Sequence, residues 1–201
     1  MADHQSTPRP GERLNALRGC LRRLILAAGL SAMAAVPAGA QATTWAWGGA
    51  EREMITWPAA HKPGEIIVSF ADRRLYLILA SGRALSFPVA IPREGKGWSG
   101  ATRVSMKRAG PVWTPTAEMR RDNPGLPAFV RGGDPGNPLG SHALYLGASE
   151  YRIHGTDAPW TIGQNLSRGC IRMHNKDARE LFERVPVGTR VTVSWSSYHR
   201  G

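Results

Sequence analysis

Cysteine is nearly missing from this chain: 201 residues hold only Cys20 and Cys170. That scarcity excludes a disulfide-stapled fold and a zinc site built on paired cysteines. A membrane-spanning run is missing too. The uncharged apolar stretch at residues 24–36 has 13 residues, against the ~20 that cross a bilayer as a helix. Acidic residues are few, 15 against 26 Lys and Arg, which gives a net charge of +11. Such an excess favours a polyanionic partner. The sequence offers no recognition-helix pattern, finger spacing or aromatic RNP motif, so nucleic acid is not the expected partner.

The apolar stretch follows a basic segment with Arg9, Arg13, Arg18, Arg22 and Arg23, and precedes Pro37 and the small residues "AGAQA". Charged, apolar, small is the order of a secretory signal peptide, assigned to residues 1–40. Export across the inner membrane to the periplasm or cell wall is the expected localisation. The segment carries five of the 26 basic and two of the 15 acidic residues, so its removal leaves a net charge of +8. It also removes Cys20. Cys170 would then be the lone thiol in an oxidising compartment, where thiols oxidise or cross-link.

Residues 41–64 show no regular period and read as an N-terminal arm or linker. Residues 65–195 read as the folded domain, and 196–201 as a tail. "EIIVSFADRRLYLILASGRALSFPVAI" divides into three short strands, broken at Ala71-Asp72 and Ser81-Gly82. Leu75 and Leu77 alternate with Tyr76 and Ile78, so that strand is expected to be buried on both faces. Residues 92–141 are rich in Gly and Pro. They read as a long lid loop, with a short helix beginning at Thr116. Strands return at "ALYLG", "YRIHG" and "GCIRM". Asn175 is expected to cap a helix that buries Ala178, Leu181, Phe182 and Val185 on one face. Pro186 ends it, and "TRVTVSW" closes as a strand. Many short strands and few helices predict a mainly β sandwich.

A thiol attacks only as thiolate, and its free pKa of ~8.5 leaves little thiolate at neutral pH. Arg168 and Arg172 flank Cys170 at two residues either side, which in a strand would put all three on one face. That placement predicts an accessible, partly ionised thiol. His154 ends the preceding strand, from which it could meet Cys170 as Cys–His catalysis requires. The amides of Gly169 and Cys170 are candidates for binding an oxyanion.

"IHGT" followed by "IGQNLSRGCIRMHNKD" resembles the signature of the L,D-transpeptidase catalytic domain, the YkuD family: His154-Gly155, then Ser167-Arg168-Gly169-Cys170-Ile171-Arg172-Met173. The resemblance covers roughly residues 65–195. It implies a β sandwich with one or two short helices and the long lid loop. It also implies Cys170 as nucleophile and His154 as general base, oriented by the Gly155 carbonyl. Ser167, Arg168 and Arg172 fall on motif positions as substrate-binding candidates, with Arg172 holding a substrate carboxylate. Many members carry His where this chain has Arg168. The implied reaction is acyl transfer on peptidoglycan stem peptides: terminal D-Ala is released through a thioester, and the acyl group passes to an amine. Water as acceptor would make a carboxypeptidase, and a lysine of an envelope protein would make an anchoring enzyme. No cofactor is implied.

Two other classes compete with this reading. Zinc held by Cys170, His174 and His154 would need ligands that a Cys-x-x-x-His spacing sets far apart on a strand. A peptidoglycan-binding protein on the same fold would not need the Cys and His that this chain keeps. His142 is a further candidate for the cleft or the surface.

Overall fold

The computed structural model describes residues 51–58 and 60–198. The signal-peptide segment, the first part of the arm (41–50) and residues 199–201 of the tail lie outside the described residues. The order along the chain is β1 (Glu53–Thr56), β2 (Ile66–Ser69), β3 (Arg74–Ile78), β4 (Arg83–Pro88), β5 (Ile91–Pro92), β6 (Gly100–Ala109) and α1 (Ala117–Asp122). Then come β7 (His142–Leu146), β8 (Arg152–His154), a 3-10 turn (Pro159–Thr161), β9 (Asn165–Ser167), β10 (Ile171–Arg172), α2 (Asn175–Arg184) and β11 (Arg190–Ser194).

Nine strands form one sheet in the order β1-β4-β3-β2-β11-β6-β7-β8-β10, and β5 pairs separately with β9. Leu75, Phe87 and Val68 from one half of the sheet and Leu144, Ile153 and Ile171 from the other share one core, each no more than 2% exposed. Among the described residues only α2, ten residues or ~15 Å long, lies against the sheet as a helix of any length. It cannot cover nine strands at ~4.8 Å spacing. The sheet therefore closes around its own core, which makes the molecule the mainly β sandwich expected, with two short helices.

Strand β3 is buried on both faces, as its unbroken apolar run required. Leu75 and Leu77 enter the main core, and Tyr76 and Ile78 enter a second cluster with Trp57, Ile67 and Ala84. Within the segment read as an N-terminal arm or linker, residues 53–56 form a strand that pairs with β4. Trp57 follows them and stacks on Tyr198 with ring centroids 5.0 Å apart.

Two further expectations are corrected. Residues 100–109, read as part of the lid loop, form the longest strand, β6, bridging β11 and β7. Val104 is its single buried residue. Backbone hydrogen bonds on both edges hold it, and these leave no apolar alternation in the sequence. The lid loop proper runs from 110 to 141. Secondly, His174 and not Asn175 precedes the first turn of α2 as its cap. The Asn175 side chain is used elsewhere, as described below. The apolar face of α2 is as expected: Ala178 and Leu181 are fully buried, Val185 lies just past its end, and Phe182 packs at the margin.

Candidate active site

Strands β8 and β10 run parallel, with Ile153 opposite Ile171 and His154 opposite Arg172. Alternation then fixes which side chains share a face. Ile153 and Ile171 point into the core and are fully buried. Arg152, His154, Cys170 and Arg172 line the other side, the floor of a cleft of about 500 Å³. Val112, Trp113, Thr116, Met119 and Leu139 from the lid region line it as well. The structure thus brings His154 and Cys170 to one cleft, sixteen residues apart in sequence.

His154 is 3% exposed. Its Nδ1 lies 2.5 Å from the Gly155 carbonyl oxygen. A carbonyl only accepts, so Nδ1 carries the proton and Nε2 is left with a lone pair. Burial, and then the Arg172 charge, pull His154 down to about 3. The ring is therefore neutral at physiological pH and able to accept a proton.

Gly155 leaves room for the Asn175 side chain. A Cβ there would collide with Asn175 Oδ1. That oxygen accepts from the amides of Ser141 (3.0 Å) and Thr156 (3.1 Å), while Asn175 Nδ2 donates to the Thr156 carbonyl (2.9 Å). Asn175 thereby fastens the start of α2 to the loop that carries the His154–Gly155 peptide. Sequence reading missed this role because a side chain spanning 19 residues of chain leaves no local pattern.

Cys170 is a free, half-buried thiol whose Sγ lies 3.8 Å from the Glu150 carbonyl, to which it donates. Burial pushes the thiol above its ordinary value, against the opposing pull of Arg152 and Arg172. The expectation of a partly ionised resting thiol is corrected accordingly: desolvation of the charged form outweighs the arginines. Arg168 also lines the cleft, but its guanidinium is engaged by α1 and not by the sulfur. Its Nη2 pairs with Asp122 at 2.7 Å and its Nη1 with Glu118 at 3.4 Å, and Lys96 also pairs with Glu118 at 3.1 Å.

The turn before Cys170 is braced from behind. Gly169 has φ +132°, and a Cβ on it would strike the Tyr151 ring. That ring stacks on Trp98 at 4.9 Å between centroids, and Trp98 Nε1 donates to the Gly169 carbonyl at 2.9 Å. Ser167 is 1% exposed, and its hydroxyl donates to the Cys170 carbonyl. Ser167 lines the cleft, and its hydroxyl, bonded to the backbone, shapes the turn. The Gly169 amide donates to Ser167 Oγ at 3.4 Å. Of the two amides expected at an oxyanion, that leaves the Cys170 amide. The Arg172 guanidinium faces the cleft without an ion pair among the described residues, near Asp157.

His142 and His174 take no part in the cleft floor. The His142 ring packs edge-on to Phe182 at 4.8 Å, and His174 caps α2. Among the described residues no group of three or more His, Cys, Asp or Glu is placed to hold a metal ion. Arg152, like Glu150 and Asp157, is a cleft residue that sequence reading passed over. Its signal was its position two residues before His154 in a strand.

The Arg168 pairs tie α1, and with it the cleft-lining Met119 and Thr116, to the turn that carries Cys170. Arg168 holds Asp122 below the usual carboxylate range, and Lys96 does the same for Glu118, with Arg168 adding to it. A depressed carboxylate keeps its contribution above the ordinary range and loses it as pH falls through the depressed value. Arg168→Ala is therefore expected to speed amide exchange severalfold over Ala117–Asp122 at pH 7, leaving β2 and β3 unchanged. Hydrogen-exchange mass spectrometry checks this, and unchanged exchange in α1 would refute the strap.

A family model described as the L,D-transpeptidase catalytic domain, YkuD, matches residues 63–193. The chain is 44% identical over 135 residues to the probable L,D-transpeptidase YbiS of Escherichia coli K12, a match covering 63% of this chain and 43% of that protein. It is 38% identical over 133 residues to a putative L,D-transpeptidase of Fuscovulum blasticum, covering 66% of this chain and 69% of that one. The chain spans under half the length of YbiS. Among solved structures, the catalytic domain of the E. faecium L,D-transpeptidase acylated by ertapenem superposes with a TM-score of 0.51 at 19% identity. That match covers 68% of this chain and all of that domain, and at this identity the likeness is one of fold.

Proposed function

The chain belongs to the L,D-transpeptidase catalytic domain family over residues 63–193, and from that premise we propose that it is a cysteine-dependent L,D-transpeptidase acting on peptidoglycan stem peptides. The observation that carries the reading is the shared face of β8 and β10. It sets a neutral imidazole with a free Nε2 beside the only described thiol, in one cleft.

In this mechanism a stem tetrapeptide enters the cleft and Arg172 holds one of its carboxylates. Cys170 Sγ attacks the carbonyl of the third residue while its proton passes to His154 Nε2. The Cys170 amide donates to the oxyanion. The C–N bond to the terminal D-Ala breaks, and D-Ala leaves with the proton from His154. A thioester remains on Cys170. An amine of a second stem then attacks it, gives a proton to His154 and frees the sulfur. Water in place of the amine gives an L,D-carboxypeptidase, and a lysine of an envelope protein gives wall anchoring. The substrate lies outside the cytoplasmic membrane, so this reading carries with it export directed by residues 1–40.

The test is incubation with disaccharide-tetrapeptide fragments, followed by mass spectrometry. The expected products are free D-Ala and a dimer joined between two third residues. Free D-Ala with tripeptide and no dimer would assign the carboxypeptidase reaction. Intact tetrapeptide throughout would refute both and leave a wall-binding module on this fold. A covalent ertapenem adduct, as in the E. faecium domain, is expected on Cys170 as well.

A further inference from the structure

We propose that Arg152 is a catalytic residue of the cleft, its guanidinium receiving the Cys170 sulfur as a thiolate when the thiol proton passes to His154. The inference rests on the reading of the chain as a cysteine-dependent acyl transferase. The motif shared with the family begins at His154 and does not include Arg152.

Four observations place Arg152 at the sulfur. It lies two residues before His154 on β8 and lines the cleft on the same face. Continuing the β8–β10 register back by one residue sets it across from Cys170, as His154 lies across from Arg172. The Glu150 carbonyl accepts from both groups, from Arg152 Nη1 at 2.7 Å and from Cys170 Sγ at 3.8 Å. The guanidinium also lies over the Tyr145 ring, 4.9 Å from its centroid, which holds the planar group in one orientation.

In addition, Arg152 Nε is buried and has no acceptor among the described residues. Buried N–H groups are almost always paired, because desolvating one without a partner is costly. A neutral thiol is a weak acceptor, and here its proton is directed at Glu150. A thiolate has no proton and full acceptor capacity. The orphan donor is thus matched to a species that exists only during the reaction, as preorganised donors in enzymes are.

The other two arginines are placed for other work. Arg168 is paired with Asp122 and Glu118 on α1. Arg172 sits level with His154, where its charge opposes protonation of the ring and lies one register step from the sulfur. The step itself is a proton transfer. The S–H bond breaks, the proton bonds to His154 Nε2, and the electron pair stays on sulfur. The Glu150 carbonyl then faces an anion in place of a donor and repels it toward Arg152 Nε. Attack on the substrate carbonyl converts the thiolate to a neutral thioester and releases the guanidinium. The same site receives the thiolate again when the acceptor amine expels it.

The experiment measures iodoacetamide alkylation of Cys170 by intact mass from pH 5 to 10. It uses the full chain carrying Cys20→Ser, so that one thiol is read. Arg152→Gln is expected to slow alkylation at pH 7.5 about tenfold and to move the profile about one pH unit upward, one unit being tenfold in thiolate. Arg103→Gln removes the same charge from β6, where Arg103 donates to the Gly188 carbonyl, and is expected to leave the profile in place. An Arg152→Gln profile that superposes on the parent overturns the proposal. So does an equal shift from Arg103→Gln, which would reduce the effect to net charge. If circular dichroism shows Arg152→Gln unfolded, Arg152→Lys is read instead. Loss of the planar donor should still shift its profile upward, and a parental profile overturns the proposal. Alkylation uses no stem peptide. A parent protein that fails to release D-Ala would sink the transpeptidase reading and leave this measurement decisive for Arg152.

Discussion

Cys170→Ala is expected to reduce D-Ala release from tetrapeptide stems to the background rate while the protein stays folded. Among the described residues the cleft contains no second side chain able to form a thioester. Residual binding and the remaining polar groups cannot supply the missing bond, so the loss is of the whole acylation route rather than a fraction of it. The structural cost is small. Sγ donates one weak hydrogen bond, 3.8 Å to the Glu150 carbonyl, and otherwise meets Arg152. Gly169, Ser167 and Trp98 shape the turn through the backbone, which the substitution leaves intact. A stability loss of about 1 kcal/mol or less follows for a half-buried side chain of this size. Mass spectrometry of the stem peptides together with a thermal melt checks both halves. D-Ala release that survives in the folded variant would remove Cys170 from the mechanism.

His154→Ala is expected to lower acylation by roughly 10²–10⁴-fold, the usual contribution of a general base, and to change how the rate depends on pH. Burial and the Arg172 charge pull His154 down to about 3. A base works in its neutral form, so a lowered pKa extends its range toward acid. Acylation by the parent should therefore hold nearly level between pH 5 and 7, where an ordinary histidine near 6.5 would impose a fall. Without His154 the attack depends on thiolate formed unaided. Burial pushes the thiol upward, so the residual rate should climb about tenfold per pH unit over the same range. A parent profile falling below pH 6.5, or a level profile in the variant, would contradict this assignment. Arg172→Ala should act chiefly through KM, losing about 1.5–3 kcal/mol if the guanidinium holds a substrate carboxylate. Arg172→Lys should restore it only in part, since an ammonium cannot replace a bidentate fork.

Several features were legible in the sequence because their causes are local. The hairpins of β2, β3 and β4 declare themselves by apolar alternation and by the Asp-Arg-Arg and Ser-Gly-Arg turns. The face of α2 follows from the spacing of Ala178, Leu181, Phe182 and Val185. His154-Gly155 and Ser167 through Met173 carry the family signature outright. Strand β6 stayed hidden because its place in the sheet rests on backbone pairing to β11 and β7, with Val104 as its single buried side chain. Asn175 fits the pattern of a helix cap, yet its amide closes the loop behind His154 from 19 residues away.

The sequence by itself determined the class of fold, the family and the pair of residues on which the chemistry is proposed to rest. Tertiary structure decided which charges meet the sulfur. Arg168 and Arg172 are equally near Cys170 along the chain, but the turn at Gly169 sends Arg168 to Asp122 and Glu118, and strand pairing brings in Arg152 from eighteen residues away. It also decided the resting state of the site. A thiol and an imidazole at a cleft floor lose solvent together, and desolvation favours the neutral form of each over the ion pair. Charge spacing in a sequence cannot report that balance, because it depends on burial and on distances between strands.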